Sequence, residues 1–474
     1  MKKFTWLVLL LQTISTFTIA QNVGIGTATP AERLHVAGNI KADTVKSTGI
    51  KMTTNAGDGK ILTSDSAGNA TWQVQSLGNP AGGVGFGSFG DCNTTGVSEY
   101  LPIADTGAKV NEQFGASVAI SGNFAAAGAP AANQFTGYVN MYQFNGTVWN
   151  FIQKLTDPSV DSGFGVNMAI SGNLLIVGSP LDKVGANFGQ GSATIFQFNG
   201  AQWIKVQKLT DPNGSASAAF GFRVAISKDF AFVTSLFEKV GANANQGTVS
   251  IFKFNGTSYV PMQKLVDPTG IAGAGFGSSV SFSGNFAVVG AFADQVGANA
   301  AQGSASILQL NGGIWEIVKK LTDPTGIANS QFGASVSMSG NSMAIGEPQD
   351  VRGGSASIYT LTNNQWDLTQ KIRDNDSTHS VQFGTAVSMS GDYLLVGDQS
   401  RSVDQVKAPG TGSASLFTRV GLEWAEYQLI TDPKVQNNSL FGRVLAVEGN
   451  TKRFLIGSIF YANGSGKIIF GKIN

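Results

Sequence analysis

The sequence predicts an all-β protein whose bulk is a closed ring of seven four-stranded sheets. Three observations predict it. The pair Phe-Gly recurs at Phe114, Phe164, Phe220, Phe276, Phe332, Phe383 and Phe441, at intervals of 50, 56, 56, 56, 51 and 58 residues. Each interval holds four short runs rich in β-branched and aromatic residues and bounded by Gly, Asn or Pro, which is the pattern of strands joined by tight turns. No helix-period pattern competes in this region. Four-stranded units of about 50 residues repeated around an axis describe a β-propeller.

The stretch 164–212 shows the unit. Phe164-Gly165 leads a first strand to Ser171, and Gly172-Asn173 turns it into a second strand ending near Pro180. A polar loop follows, then a third strand to Phe198, the turn Asn199-Gly200 and a fourth strand from Trp203. Gly-Asn and Asn-Gly suit two-residue hairpins, whose central residues need positive φ. Thr210-Asp211-Pro212 closes the unit. The pairs begun by Asp157, Asp211, Asp267, Asp323 and Asp432 read as turn starts, Asp first and Pro second.

The last unit supplies three strands and then the chain ends. Before the first Phe-Gly, residues 99–105 stand where other units carry their fourth strand. The expectation is a seven-bladed β-propeller at 97–474, closed by an N-terminal strand over residues 97–104 and preceded by a β-rich stalk and linker.

Ahead of the ring, Lys2 and Lys3 precede an apolar run, and Thr18-Ile19-Ala20 offers small residues before Gln21. Residues 1–20 therefore read as a signal peptide, which implies a secreted or cell-surface protein with no membrane span in the mature chain. Residues 21–73 carry short β-like phrases with few large apolar residues. Residues 74–96 are a glycine-rich linker. Gly85, Gly87 and Gly90 satisfy a dinucleotide-loop spacing, but neither strand nor helix flanks them. Cys92, the single cysteine, lies in this linker and excludes an intrachain disulfide.

A net charge of +1 with no basic block gives no sign of nucleic-acid binding. Catalysis finds little support either. The two histidines are His35, in the stalk, and His379, alone before the sixth Phe-Gly, so zinc ligands and a Ser-His-Asp set are lacking. The reading is of a non-enzyme with no catalytic residues, cofactor or metal. Paired carboxylates meeting across the channel keep a glycoside hydrolase as the alternative, and a purely structural surface component is a third reading. In-register aromatics at Trp149, Trp203, Tyr259, Trp315, Trp366 and Trp424 read as packing residues on the outer strands.

The long polar connections between second and third strands are the candidate binding loops. Four carry a carboxylate four residues after the second strand's last Gly or Thr: Asp182, Glu238, Asp294 and Asp350. These are the candidate ligand-binding residues, expected as an acidic crown at the channel mouth, with Lys183 and Lys239 beside it. Ordinary solvated loop charge is the other reading. The phrase Val-Gly-Ala-Asn beginning at Val184, Val240 and Val296 implies one loop fold used three times.

Phe114-Gly115 followed by Gly128-Ala129-Pro130 resembles the FG-GAP repeat of integrin α-subunit propellers and of many bacterial exported proteins. Phe164-Gly165 with Gly178-Ser179-Pro180 and Phe332-Gly333 with Gly346-Glu347-Pro348 are close variants, and the other four copies are degenerate. The resemblance spans 97–474 and implies an extracellular propeller used for adhesion or for binding a protein or glycan. Many such repeats carry a calcium loop between their first two strands. Here the corresponding turns, such as Ser121-Gly122-Asn123 and Ser390-Gly391-Asp392, hold at most one carboxylate each, so calcium is not expected in them. Residues 22–73 resemble segments that open bacterial surface and phage tail-fibre-like proteins, which implies a homotrimer through that segment; a semi-ordered spacer is the competing reading.

Overall fold

The computed structural model describes residues 97–103, 109–351, 353–374, 381–402, 410–433, 438–460 and 464–474, with four short strands before them. Those four form two small sheets: Val23–Ile25 pairs in parallel with Leu34–Val36, and Lys60–Ser64 pairs antiparallel with Ala70–Val74. The chain divides into two compact units, Met1–Phe89 and Gly90–Asn474. The signal-peptide residues, Cys92, Asp105 and His379 lie outside the described residues. Among the described residues no helix is long and apolar enough to cross a membrane.

The second unit is seven four-stranded antiparallel meanders. Blade 1 spans 117–155, blade 2 167–209, blade 3 220–265, blade 4 276–321, blade 5 335–372 and blade 6 383–431. Blade 7 takes three strands from 444–473 and its outer strand from Val97–Ile103, which pairs antiparallel with Lys467–Ile473. Tyr100 faces Gly471 and Ile103 faces Ile468 in that register. The inner strand of every blade packs on the next, and that of blade 7 packs on that of blade 1, so the ring is closed.

Hairpin chemistry sets the meander. In blades 1, 2, 4, 5 and 6 the first and second strands join through two-residue turns, Gly122-Asn123 and its counterparts, with the glycine at φ +55 to +59°. Blade 3 has Lys228-Asp229 there, and blade 7 pairs Glu448 with Arg453 across a four-residue turn. The outer hairpins differ from expectation in half the ring. Phe198 pairs with Trp203, so a four-residue loop stands where a two-residue Asn-Gly turn was expected. The Asn199 carboxamide oxygen caps the amides of Ala201 and Gln202 at 3.0 and 2.9 Å, an Asx-type closure. Blades 4, 5 and 6 do use two residues, as at Asn363-Asn364, both with positive φ.

The Phe-Gly pair is the joint between blades. All seven phenylalanines are buried, and their neighbours come from two adjacent sheets. The Phe220 amide donates to Gln190 O at 2.8 Å in the preceding blade, and Phe114 donates to Ser465 O of blade 7 at 3.1 Å, closing the ring a second time. The glycine must be glycine: Gly221 has φ +90°, and a Cβ there would meet Ser192 O at 2.2 Å.

Glutamines extend the joint outward. Gln153 both donates to Trp203 O and accepts from Trp203 N, and Gln207 and Gln370 do the same with Tyr259 and Trp424. A side-chain amide so imitates one more backbone pairing, covering an outer-strand edge that would otherwise be open.

Candidate functional site

Second-to-third and fourth-to-first connections emerge at one face of the ring, the face that also carries the Phe-Gly joints. The three Val-Gly-Ala-Asn loops fold alike. Val184 and Asn187 exchange backbone hydrogen bonds, and Asn187 Nδ2 donates to Gln190 Oε1 and Gly214 O. Gln190 then donates to Asp211 O at 2.7 Å. Asn243 with Gln246, and Asn299 with Gln302, repeat every bond. Each binding-side loop is thus sewn to its own blade's exit turn.

The four predicted carboxylates do not form an exposed crown. Asp182, Glu238, Asp294 and Asp350 are buried, at 0, 6, 1 and 4% exposure. Each turns inward onto a lysine near the end of its blade's outer strand: Asp182 onto Lys208 at 2.8 Å, Glu238 onto Lys264 at 3.5 Å, Asp294 onto Lys320 at 2.6 Å and Asp350 onto Lys371 at 2.8 Å. Hydroxyls at the head of the third strand add to this, Ser192 to Asp182 and Ser304 to Asp294, both at 2.6 Å. A carboxylate with an ammonium and a hydroxyl waiting inside loses little by leaving water. Lys183 and Lys239 are not the partners; Lys183 lies over the Phe188 ring instead, 4.3 Å from its centroid.

The same lysines reach back to the preceding blade. Lys264 meets Asp211 at 2.6 Å, Lys320 meets Asp267 at 2.8 Å and Lys371 meets Asp323 at 2.6 Å, while Lys205 meets Asp157 at 2.7 Å. The Asp-Pro aspartates do start turns, with Asp157, Asp211, Asp267 and Asp323 each accepting the amide two residues on. Their second oxygen is an ion-pair partner across the joint. Burial pushes Asp157, Asp267 and Asp323 upward, yet the lysine and the turn's own hydrogen bonds prevail and hold all three below the ordinary value.

Blade 5 adds a third acid. Asp323, Glu347 and Asp350 bring carboxylate oxygens within 4.8 Å of one another, a spacing that suits a cation. Lys371 Nζ fills that place, 2.6, 3.0 and 2.8 Å from the three. Glu347 is fully buried and its Oε1 has no hydrogen-bond partner among the described residues. Burial pushes its carboxyl up to about 7, against the pull of Ser330 and Lys371. A glycosidase needs its two carboxyl groups roughly 5–9.5 Å apart with a sugar between them. Here a lysine lies between closer groups, and none of the three faces solvent.

Trp203, Tyr259, Trp315, Trp366 and Trp424 are buried, at 4% exposure or less. They pack into the preceding blade: Trp203 lies edge-on to Phe124 at 5.2 Å and Trp366 edge-on to Phe286 at 5.5 Å. Trp149 stacks on Phe470 of blade 7 at 4.6 Å. The exposed rings are others. On the loop face Phe460, Phe135, Phe188 and Phe237 are 42, 59, 69 and 49% exposed, on blades 7, 1, 2 and 3, and Leu181 stands with them at 55%. Phe237 contacts Phe222, centroids 6.4 Å apart. Leu181, Phe237 and Phe460 share one register position, three residues after the second strand's last Gly or Thr, whereas Phe135 and Phe188 do not; the signal of all five is a large apolar residue inside a polar loop.

Four stretches, 203–252, 259–308, 315–360 and 366–417, match the family model described as the FG-GAP repeat. Each match opens on the aromatic that heads an outer strand and ends in the third strand of the next blade, so the matched unit straddles the joint. No curated protein matches the chain. The chain thus carries four FG-GAP repeats, set within a ring of seven blades that forms a β-propeller.

Proposed function

We propose that the protein is an exported surface protein that binds a protein or glycan ligand through the loop face, over the sector of blades 7, 1, 2 and 3. One observation carries this reading: among the described residues, the loop-face aromatics that are exposed, Phe460, Phe135, Phe188 and Phe237, all lie in that sector. Blades 4 to 6 put Ala293, Gln349 and Ser400 at the positions of Phe237 and Phe460. Rings held on sewn loops offer apolar area at low entropic cost, which suits stacking on a sugar face or filling a partner's pocket. The FG-GAP propeller supports ligand binding in general, and the N-terminal sequence supports export.

The test is a glycan and protein array probed with purified protein and with the Phe188→Ser/Phe237→Ser variant. A hit that weakens at least about tenfold in the variant is the expected result, the scale of one lost aromatic anchor. A hit that the variant binds equally well removes this sector from the reading.

A further inference from the structure

The joints between successive blades repeat one backbone arrangement on the loop face. At the joint of blades 2 and 3 the Phe188 carbonyl accepts the Ser217 amide at 2.9 Å, and the next residue of that segment, Ala218, accepts the Phe237 amide at 3.1 Å. Two exposed rings, one from each blade's loop, therefore rise from consecutive residues of one short floor, their Cα atoms at most roughly 15 Å apart. Residues 215–217 of that floor are exposed and carry the hydroxyls of Ser215 and Ser217. Blades 3 and 4 make the same bonds with Ala244 and Ala293, and blades 4 and 5 make them with Ala300 and Gln349, at 2.8 to 3.2 Å. The joint thus closes as well on alanine, and the rings at Phe188 and Phe237 contribute nothing that its architecture requires.

The same joint carries an unmatched positive charge. Asp182, Asp211 and Glu238 around it are buried on Lys208 and Lys264. Lys183 and Lys239, each beside one of those acids in sequence, are exposed and have no ion-pair partner among the described residues. Lys183 Nζ lies 4.3 Å from the centre of the Phe188 ring. Arg223, also without an ion pair among the described residues, lies over Phe222 at 4.4 Å, and Phe222 touches Phe237 with centroids 6.4 Å apart. Phe188 and Phe237 thus each have a cation at their side. The positions of Lys183 and Lys239 hold Gln295, Val351 and Ser402 in blades 4, 5 and 6, so the cations and the exposed aromatics stop at the same blade.

We propose that the joint of blades 2 and 3 binds an acidic polysaccharide, with one carboxylate- or sulfate-bearing sugar seated between Phe188 and Phe237 and its charge met by Lys183, Lys239 and Arg223. The proposal rests on the loop-face reading above and adds the class of ligand to it. Aromatic rings take the CH face of a sugar, and cations beside them take its anionic edge. One joint away, the Phe135 carbonyl accepts the Gly163 amide at 2.7 Å, and a Cβ on Gly163 would stand 3.4 Å from the Leu181 Cβ. A second exposed apolar couple therefore flanks the next floor, where exposed Asp161 removes the positive excess. Two couples one blade apart make a repeating surface, which suits a repeating chain better than a globular partner.

The test is calorimetry of the purified protein at low salt with polygalacturonate, dextran sulfate, neutral dextran and poly-glutamate. At least one acidic polysaccharide is expected to bind, at least about tenfold more tightly than dextran and poly-glutamate; which of the two binds separates carboxylate from sulfate. Lys183→Gln/Lys239→Gln should weaken that binding at least about tenfold and flatten its salt dependence. Lys253→Gln/Lys472→Gln removes the same charge from exposed positions near the far ends of two third strands, Thr248–Phe254 and Lys467–Ile473, and should bind as wild type. Phe188→Ala/Phe237→Ala, which installs the residues that stand in register at Ala244 and Ala293, should weaken binding at least about tenfold at any salt and keep Tm within about 1 °C. Dextran or poly-glutamate binding as tightly, no binding of either acidic polysaccharide, or equal losses from the two lysine pairs overturns the proposal. An array hit that needs Phe188 and Phe237 but carries no charge also overturns it, while keeping the loop-face reading; array binding indifferent to both aromatics removes both.

Discussion

Lys371→Met tests whether the buried ion pairs hold the blades together. Lys371 serves Asp323 of blade 4 and Glu347 and Asp350 of blade 5 at 2.6 to 3.0 Å, with 15% of its side chain exposed. In the variant Arg373 still covers Asp350, but Asp323 and Glu347 face each other without a cation. Two charges under 4.8 Å apart repel by about 3.5 kcal/mol or more at an effective dielectric constant near 20. Removing one partner of a buried pair costs about 3–5 kcal/mol, which agrees. A ring of roughly 370 residues, at about 2.1 cal/mol/K each, loses about 1.3 °C per kcal/mol. Tm should therefore fall by about 4–6 °C at pH 8. At pH 5 Glu347 holds a proton, so the fall should shrink to about half. Because the pair crosses the joint, one cooperative transition should shift as a whole in scanning calorimetry. Lys371→Met with Asp323→Asn and Glu347→Gln should recover most of the loss. A single variant melting within about 1 °C of wild type at pH 8 would show that the lysine is ordinary surface charge, and the joint would then rest on the Phe-Gly contacts alone.

Two further outcomes follow from the same geometry. Glu347 has a folded pKa of about 7 against 4.5 ordinarily, so the folded state holds the proton more tightly. Its contribution is fully present below about 4.5 and is lost as pH rises through about 7, on the order of 3 kcal/mol in all. Glu347→Gln should thus match wild type at pH 5 and exceed it at pH 8 in denaturant titrations; equal stability at both pH values refutes the assignment. Gly333→Ala, at φ +87° with a Cβ 2.3 Å from Ser304 O, should cost about 3 kcal/mol. Gly340→Ala, at φ +55° with nothing within 4 Å, should cost about 1 kcal/mol. Similar losses in the two would mean that the close approach at the joint is not what selects glycine.

The fold was legible because propeller repeats are written at a fixed spacing. Phe-Gly solves one packing problem seven times, the outer-strand aromatics solve another six times, and the missing fourth strand of the last unit identified Val97–Ile103 as its replacement. The candidate site was less legible, for two physical reasons. A loop carboxylate in sequence shows its charge but not its partner, and the lysines that bury Asp182, Glu238, Asp294 and Asp350 lie about 25 residues further on. Exposure is also a property of one blade rather than of the repeat: Phe237 shares its register with Phe460 but also with Ala293, Gln349 and Ser400, and Phe188 shares its register with Ala244 and Ala300.

The cations at the joints show how far a fixed spacing can be trusted. Every described joint keeps an aspartate at the end of one blade and a cation from the next. In the four joints from blade 1 to blade 5 that cation is a lysine of the outer strand. Blade 6 has Leu429 at the position of Lys371, and there Arg401, at the register of the loop acid Asp350, pairs with Asp374 instead. Blade 7 has Pro102 at that position, and Lys467, at the head of its third strand, reaches Asp432 at 2.5 Å with both groups buried. Arg401 and Lys467 each look like a lone irregularity along the chain, one an arginine in place of an acid, the other a lysine in place of a serine. In space they restore the same pair. A buried aspartate left without a cation is costly wherever the cation originates, so the physical constraint falls on the pair and leaves four positions, two on the outer strand, one in the loop and one at the head of the third strand, free to supply its positive half.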